Sequence, residues 1–320
     1  MQESLSFVKG AVGKKDLVSP LTHFRIHEGR ITGYNGKMSL SAPIALDINC
    51  CPKAEQMVKA IEACGEVVRI VMTASGKLSI RSGKFKALVD TVALELFPFV
   101  EPDGVDIDGA GLINALKTVA PFMGQDASRP WACGVLLDGF SAYATNNVIF
   151  AECWVGKHFP YRVNIPHFAV KELLRLGEDP IRIQLNAHSA TFHFEGDRWM
   201  MTQLINTEWP NTDGLFAKIK ALGEVQPVAP DLWEALDLLK PFVDEFGHVY
   251  CQGDRLSTSD SPDVEKAGVD LDQPAPLGIY NHENFALLAP IATHIDLAAH
   301  PAPMTWYGAN VRGLFIGMRA

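Results

Sequence analysis

Two stretches of the chain are variants of one another, and this internal repeat constrains the fold more than any single residue does. Residues 69–98 read RIVMTASGKLSIRSGKFKALVDTVALELFP, and residues 182–210 read RIQLNAHSATFHFEGDRWMMTQLINTEWP. Both begin with Arg-Ile, carry a glycine at the same offset (Gly83 and Gly196) and end with an aromatic residue followed by proline. Because such a unit cannot easily bury its apolar face alone, the repeat predicts an architecture of similar, stacked units.

The same order, one helix followed by several strands, continues along the whole chain. Apolar residues at helical spacing predict helices at 2–13, 53–63, 109–122, 168–176, 230–243 and 281–292. Ser4 is the expected N-cap of the first helix. Strand-like runs separated by turn residues follow each helix. We therefore predict six units of about 50 residues each, paired into three tandem α+β domains.

The predicted domains span residues 1–104, 105–223 and 224–320. Each contains two helix-plus-strands units. The third pair of units is the least similar to the others in its residues. For that pair, ordinary α+β structure without true repetition is the alternative interpretation.

Composition places the chain among ordinary globular proteins. It has 320 residues, of which 48% are hydrophobic and 20% are charged. No apolar run approaches the ~20 residues of a membrane helix, and the N-terminus lacks the pattern of a secretion signal. The six cysteines include no C-x-x-C pair, so we expect reduced, structural thiols. These features predict a soluble, cytoplasmic protein.

The acidic balance limits the extent of any nucleic-acid-binding surface. A net charge of −9 argues against a protein covered by such a surface. It permits basic residues that are confined to one face, so the positions of Lys and Arg matter more than their sum.

Several segments, taken in order, resemble the bacterial DNA sliding clamps, the DNA polymerase III beta subunit family. The segments are Leu78–Lys84 through Asp90-Thr91 to Phe97-Pro98, Ala144-Thr-Asn-Asn147, Asn164-Ile-Pro166 with Lys171–Arg175, Gln203–Asn206 to Trp209-Pro210, and Ile316-Gly-Met-Arg-Ala320. The resemblance is strongest over residues 65–210, and the order and spacing of the segments carry it. Because the chain is shorter than typical cellular clamps, we hypothesise a compact, phage-encoded version that would act in the host cytoplasm.

The resemblance implies both a fold and a function. The implied fold is the DNA clamp fold, with antiparallel sheets outside and helices inside a ring of six domains formed by a head-to-tail homodimer. The implied function is that of a processivity factor, which encircles duplex DNA independently of sequence and tethers the replicative DNA polymerase. Polymerase and clamp loader would bind through linear peptide motifs in a hydrophobic groove. Such a protein needs no cofactor, no metal and no catalytic residue.

A sliding ring must hold DNA through dispersed phosphate contacts, since base-specific contacts would stall it. Basic residues on or near the predicted helices are the candidates. They are Lys9, Lys14, Lys15, Lys53, Lys59, Lys117, Arg129, Lys171 and Arg175. The Lys14-Lys15 pair and then Arg129 are the favoured individual candidates. The alternative for each residue is a solvated position on a helix face.

The resemblance also implies a groove for partner peptides between the middle and C-terminal domains. The corresponding residues are Thr145, Asn147, Ile149, Phe150, Leu314, Ile316, Met318 and Arg319. A methionine-containing cleft suits several related peptides because Met repacks easily. Asn147–Phe150 stands where the family commonly has Gly-His-Arg-Leu, and Gly317 and Ala320 replace the usual Pro and Leu. We therefore expect altered groove chemistry. The alternative is that residues 314–320 form only a final strand packed into a core.

Two other classes of function are alternatives to a sliding clamp. Enzymatic candidates are His188, His193, Asp254, Asp260, Asp263, Asp270 and Asp272, but they lack a recognised metal-ligand spacing. No P-loop, G-x-S-x-G or G-x-G-x-x-G motif occurs, so we expect no enzyme activity. The second class is a monomeric clamp-fold adaptor that binds peptides without encircling DNA.

Overall fold

A computed structural model describes residues 1–14, 18–211, 214, 225–297 and 301–319. In this part of the chain there are six α-helices, which we number in chain order. They are α1 (Gln2–Val8), α2 (Ala54–Glu62), α3 (Leu112–Val119), α4 (His167–Leu176), α5 (Pro230–Leu239) and α6 (His282–Ala286). No helix of the described residues is long and apolar enough to cross a membrane.

The chain forms two compact units, and each is built around one large antiparallel sheet. Unit 1 contains residues 1–113 and 168–204, and unit 2 contains residues 114–167 and 205–320. The units cut across the predicted domains because each large sheet pairs strands from two of them. The division into three domains remains a prediction.

The large sheet of unit 1 has seven strands in the order β1-β2-β3-β14-β13-β12-β9. Its strands are β1 (Phe24–His27), β2 (Arg30–Tyr34), β3 (Met38–Pro43), β9 (Val105–Asp108), β12 (Arg182–Leu185), β13 (Ser189–Phe194) and β14 (Arg198–Gln203). Helix α1 covers one face, where Phe7 packs edge-on against Phe194 with ring centroids 5.8 Å apart. Residues from both ends of the sequence of unit 1 therefore share one core.

Unit 1 also contains the first copy of the repeat as a small three-stranded sheet, β5-β6-β7. Its strands are β5 (Arg69–Met72), β6 (Leu78–Ser82) and β7 (Phe85–Val89), and a two-stranded ladder, β4 (Cys51–Pro52) with β8 (Thr91–Val92), adjoins them in sequence. The second copy forms β12, β13 and β14, so the predicted repetition of strands is present. Gly83 and Gly196 both have positive φ in the second hairpin of their copy, which explains the shared glycine.

The large sheet of unit 2 has six strands in the order β10-β11-β22-β21-β20-β15. They are β10 (Gly134–Thr145), β11 (Ile149–Pro166), β15 (Val225–Pro227), β20 (His294–Asp296), β21 (Met304–Gly308) and β22 (Val311–Phe315). A four-stranded sheet, β18-β17-β16-β19, completes the unit. Its strands are β16 (His248–Cys251), β17 (Arg255–Ser257), β18 (Gly268–Asp270) and β19 (Gly278–Asn281).

The two large sheets have the same cross-strand register. In unit 1 one row of facing residues is Gly33, Leu40, Met200, Phe192 and Ile183. In unit 2 the corresponding row is Ala144, Ala151, Gly313, Trp306 and Ile295. The repetition predicted from the sequence therefore extends into the third predicted domain, where the residues themselves had diverged.

Helix ends differ most from the predictions. Helix α1 begins at Gln2 with Met1 as its N-cap, so the assignment of Ser4 as N-cap was wrong. Ser4 Oγ instead donates a hydrogen bond to Pro43 O (2.7 Å). Helix α6 is much shorter than the predicted 281–292, and its N-cap is Asn281, whose side chain accepts from Asn284 N–H.

The six cysteines are free thiols. Burial raises the pKa of Cys50 to about 11, and burial together with the Cys50 charge raises that of Cys51 to about 12. These thiols therefore remain protonated at neutral pH and act as small apolar core groups.

Candidate DNA interface and partner-binding groove

The turn between β10 and β11 is a rigid, hydrogen-bonded corner. Asn146 Oδ1 accepts hydrogen bonds from the N–H groups of Val148 (3.0 Å) and Ile149 (2.7 Å). Thr145 Oγ1 donates to Ile149 O (2.7 Å) and accepts from Asn147 N–H (3.0 Å). Asn147 adopts a φ of 70°, a conformation that Asn tolerates better than most residues. The sequence Thr-Asn-Asn therefore fixes the turn by its own side chains.

A ladder of asparagine side chains ties this turn to the start of α6. Asn146 Nδ2 donates to Asn284 Oδ1 (2.7 Å), and Asn284 Nδ2 donates to Asn281 Oδ1 (3.1 Å). Asn281 Nδ2 in turn donates to Phe246 O (2.8 Å). The predicted groove thus has a fixed end, built from residues that are far apart in sequence.

The C-terminal segment runs from the large sheet of unit 2 to its four-stranded sheet. Ile316 N–H donates to Val148 O (2.9 Å), and Met318 N–H donates to Ile279 O (2.7 Å). The segment therefore bridges both sheets instead of continuing β22 as a core strand. Ile316 is 50% exposed, Arg319 is exposed and Met318 is half-buried, so apolar side chains are presented to solvent here.

The predicted groove residues lie on two different faces of the sheet. Thr145, Phe150 and Leu314 face one another across β10, β11 and β22, and Thr305 on β21 completes their row. Ile149 belongs to the opposite face, where it pairs with Phe315 and is fully buried. We therefore expect Ile149 to support the groove from behind.

An aromatic cluster supports the C-terminal segment from the core. The Phe315 ring centroid lies 4.9 Å from that of Tyr280 and 5.5 Å from that of Phe285. Trp233 packs edge-on against Phe285 at 5.9 Å. Buried aromatic rings of this kind make a stiff base, so the exposed side chains of residues 316–319 rest on a well-ordered support.

The candidate DNA contacts fall into two groups according to their ion pairs. Lys59 is paired with Glu55 (2.6 Å), and Arg175 is paired with Glu172 (2.5 Å). The exposed residues that make no ion pair with any described residue are Lys9, Lys14, Lys117, Arg129 and Lys171. Lys53 is half-buried, and Lys15 lies outside the described residues. Unpaired, exposed lysines are the ones best able to meet a phosphate.

Arg175 has a positioning role within unit 1. Its guanidinium donates to both carboxylate oxygens of the buried Glu172 and to Phe7 O (3.1 Å) at the end of α1. Gly10 leaves room for this pair, since a Cβ there would collide with the Glu172 carboxylate. Lys9 and Lys171 are sequence neighbours of Gly10 and Glu172, so the ion pair holds two exposed lysines on adjoining segments.

Two of the enzymatic candidates, His193 and Asp270, have structural partners. His193 lies between Arg182 (3.2 Å) and Gln184 (2.7 Å), and burial followed by the Arg182 charge lowers its pKa. Asp270 is paired with Arg255. Among the residues that the structure describes, no group of three or more His, Cys, Asp or Glu side chains could hold a metal ion.

At the level of sequence, the chain matches no protein-family model and no curated protein. At the level of structure it resembles bacterial sliding clamps. The DNA polymerase sliding clamp of Pseudomonas aeruginosa gives a TM-score of 0.85 at 18% identity, and that of Bacillus subtilis gives 0.83 at 17%; in both cases 100% of this chain and 97% of the other are covered. A Helicobacter pylori beta clamp bound to a DNA ligase peptide gives 0.82 at 14% identity, over 99% and 97%. The predicted α+β clamp fold with antiparallel sheets is confirmed.

Proposed function

We propose that this chain is a DNA sliding clamp that closes into a ring only as a head-to-tail homodimer. The observation that carries the proposal is an incomplete set of strand pairings. The last strand of a repeat copy pairs with a strand of a neighbouring domain twice within the chain, as β14 with β3 and as β22 with β11. The third such strand, β7, is the edge of its sheet and has no further strand beside it in the described residues.

A matching open edge exists at β18. It is the third strand of β16-β17-β18, as β3 is the third of β1-β2-β3, and it also ends its sheet within the described part of the chain. The first strand of each group also has a further pairing on its other side. In β1, Ile26 forms a bridge with Cys50, and β16 pairs with β19. By this equivalence β7 of one protomer would pair with β18 of its partner. Unlike edges that pair in this way give a heterologous interface, which can close into a ring.

The side chains at the two edges have complementary charge. Lys84 and Lys86 are exposed on and beside β7, where Leu88 is 51% exposed as well. Glu265, Asp270 and Asp272 lie on and beside β18; Arg255 pairs with the first two and Lys266 is exposed nearby, so a small acidic excess remains at this edge. Exposed strand edges invite pairing with another chain, and opposite charges favour the correct partner over a second copy of the same edge.

A closed ring would keep DNA bound because the ring encircles it, so high affinity for DNA would not be needed. DNA inside it could leave only when the ring opens, so the unpaired lysines need hold phosphates only weakly and without base contacts. No bond is made or broken in this function, which accords with the structural roles of His193 and Asp270. The cytoplasm, with a replicative polymerase and a clamp loader as partners, is the proposed setting.

The oligomeric state tests ring formation and separates it from the monomeric-adaptor alternative. Leu88→Asp places a carboxylate on the β7 edge and should convert a dimer into a monomer in size-exclusion chromatography with light scattering. Val67→Asp is the matched control, because Val67 is 81% exposed just before β5 and off the β7 edge. A wild-type protein that is monomeric at micromolar concentration would overturn the ring and favour the adaptor.

The DNA interface is tested by charge reversal. The triple substitution of Lys9, Lys14 and Lys171 to Glu should weaken retention on DNA circles and flatten its dependence on salt, since fewer counterions are released. Lys77→Glu is the control, because Lys77 is already paired with Asp90 (2.8 Å). Equal retention of the triple variant and the control would remove these lysines from the interface.

The peptide groove is tested at its exposed end. Ile316→Asp should abolish binding of a polymerase-derived peptide at residues 314–319 and leave the dimer intact, because the Ile316 side chain is 50% exposed and its bond to Val148 O comes from the backbone. Undiminished peptide binding would show that residues 314–319 are not the groove.

A further inference from the structure

Unit 1 contains a pocket that the groove prediction did not include. Its volume is about 430 Å³, and it lies where several strands of the seven-stranded sheet end. The pocket is lined by four segments: the hairpin between β2 and β3, the end of β14, the turn between β12 and β13, and the segment around Val100 and Asp103. This volume is within the usual range of ligand pockets, ~300–1,000 Å³.

The corner beside this pocket has the same construction as the corner of the predicted groove. Asn35 Oδ1 accepts hydrogen bonds from the N–H groups of Lys37 (3.1 Å) and Met38 (3.0 Å), as Asn146 does for its own turn. Gly36 follows with a φ of 89°, where the groove has Asn147. Gln203 N–H then donates to Lys37 O (3.1 Å), the bond that Ile316 makes to the other turn.

Side chains on the sheet face correspond as well. Tyr34, Ser39, Met201 and Thr191 face one another across β2, β3, β14 and β13. They occupy the register positions of Thr145, Phe150, Leu314 and Thr305 in unit 2. Three of the four, Tyr34, Ser39 and Met201, line the pocket directly. The pocket is therefore the counterpart, within unit 1, of the predicted peptide groove.

The lining combines an adaptable apolar floor with a polar, basic rim. Met38, Met201 and Val100 supply apolar surface, and Met side chains repack readily around different ligands. Lys37 is exposed and makes no ion pair with any described residue; its Nζ lies 5.5 Å from the Phe168 ring centroid. The carboxylate of the pocket, Asp103, is engaged by Asn186 Nδ2 (2.6 Å). Asp103 keeps its negative charge, so the positive charge offered to a ligand is local to Lys37.

We propose that this pocket is a second peptide-docking site, which binds an extended segment of a partner protein with a large apolar side chain next to a carboxylate. The apolar side chain would rest on Met201 and Val100, with Met38 behind them on the opposite face of the sheet, and the carboxylate would meet Lys37. The proposal rests on the peptide-docking part of the proposed function and not on ring closure. Two dissimilar docking sites in one chain would let two partners bind at the same time.

Methionine-methyl NMR of the full chain locates the binding event directly. The probe is the peptide acetyl-Asp-Leu-Phe-amide, and Met→Leu substitutions assign the resonances. We expect saturable shifts of the Met38 and Met201 methyl groups that persist in the Ile316→Asp variant. Shifts confined to Met318 would overturn the second site while leaving the groove intact. The absence of shifts at all three methionines would overturn the second site and count against the groove.

Two surface variants test the chemistry without disturbing the core. Lys37→Glu should weaken binding at Met201 by about fivefold to tenfold, as expected for reversal of an exposed ion pair. Ala187→Trp places a bulky ring at the exposed rim and should abolish binding by occlusion. Acetyl-Lys-Leu-Phe-amide is the matched control peptide. Equal binding of the two peptides, or unchanged binding to both variants, would overturn the proposal.

Discussion

The two corners, one in each unit, share a backbone design and differ in how their cores are filled. At the same register position unit 1 has Met200 beside Phe192, whereas unit 2 has Gly313 beside Trp306. A Cβ on Gly313 would collide with the Trp306 ring and with Phe150 O. In unit 1 both Met200 and Phe192 fill the core, whereas in unit 2 Trp306 alone fills it beside Gly313. The difference teaches that the repeat preserves strand register while the residues that fill the core change.

The largest loss of stability is expected from adding a side chain at Gly313, where the Trp306 ring already fills the space. Gly313→Ala should destabilise unit 2 by roughly 3 kcal/mol, because the added methyl group overpacks a fully buried position. Denaturant unfolding and hydrogen exchange of β21 and β22 would measure it. Gly65→Ala is the matched control, since its Cβ would lie 3.7 Å from the nearest atom, Ser82 Oγ.

The combination with Trp306→Phe sharpens the comparison. The smaller ring, which resembles the arrangement in unit 1, should recover part of the loss, so the double variant should be more stable than the sum of the single effects allows. The indole Nε1 of Trp306 has no hydrogen-bond partner among the described residues, so its removal carries no polar cost. If the stability losses of the two single variants simply add in the double variant, the residues at positions 306 and 313 do not compete for the same space.

The two asparagine corners should differ in strength. Asn146→Ala removes two hydrogen bonds within the turn and the one to Asn284, whereas Asn35→Ala removes only the two within its turn. At about 1 kcal/mol for each net hydrogen bond, we expect losses of ~3 and ~2 kcal/mol. Thermal unfolding of the two variants measures the difference.

A larger loss for Asn35→Ala would contradict the view that the asparagine ladder strengthens the corner of unit 2. Asn284→Ala provides the internal check. It removes the two side-chain hydrogen bonds to Asn146 and Asn281, so it should weaken unit 2 by ~2 kcal/mol and leave unit 1 unchanged.

These comparisons also show how far the sequence could predict the molecule. Helix positions and the repeated hairpins follow from local periodicity, and the two hairpin glycines, Gly83 and Gly196, marked the repeat because a positive φ is a local requirement. The groove was predicted as a set of residues, although the alternation of side chains along a strand already places the neighbours Ile149 and Phe150 on opposite faces. Sequence spacing does not give the pairing of this strand with β22, which brings Leu314 beside Phe150.

The pocket of unit 1 was missed for the same reason. Its lining comes from residues 34–39, 100–103 and 186–203, which only the pairing of β3 with β14 brings together. One local signal was present, since Tyr34-Asn-Gly and Thr145-Asn-Asn are both turn sequences in corresponding hairpins. The pairing of Arg175 with Glu172 was also visible as an i, i+3 spacing, but the burial of Glu172 was not.

The smallest predicted effect is a difference in pH response between the units. His193 in unit 1 occupies the register position that Tyr307 holds in unit 2. Burial, and then the Arg182 charge, lowers the pKa of His193 below its value in the unfolded chain, ~6.5. The unfolded state therefore binds the proton first. The stability that neutral His193 permits is complete above that pH and is lost as the pH falls from ~6.5 through the lower folded-state pKa.

Hydrogen exchange between pH 7 and pH 5, corrected for intrinsic rates, should therefore show a shallow loss of protection in β12 and β13 that β20 and β21 do not share. His193→Gln removes the titrating group and keeps a polar side chain between Arg182 and Gln184, so it should flatten the response of unit 1. Parallel losses in both units, or an unchanged slope in the variant, would mean that other groups set the pH dependence. A flatter dependence of protection on pH in the variant would establish that the two units differ in a titrating residue, His193 against Tyr307, at the same register position.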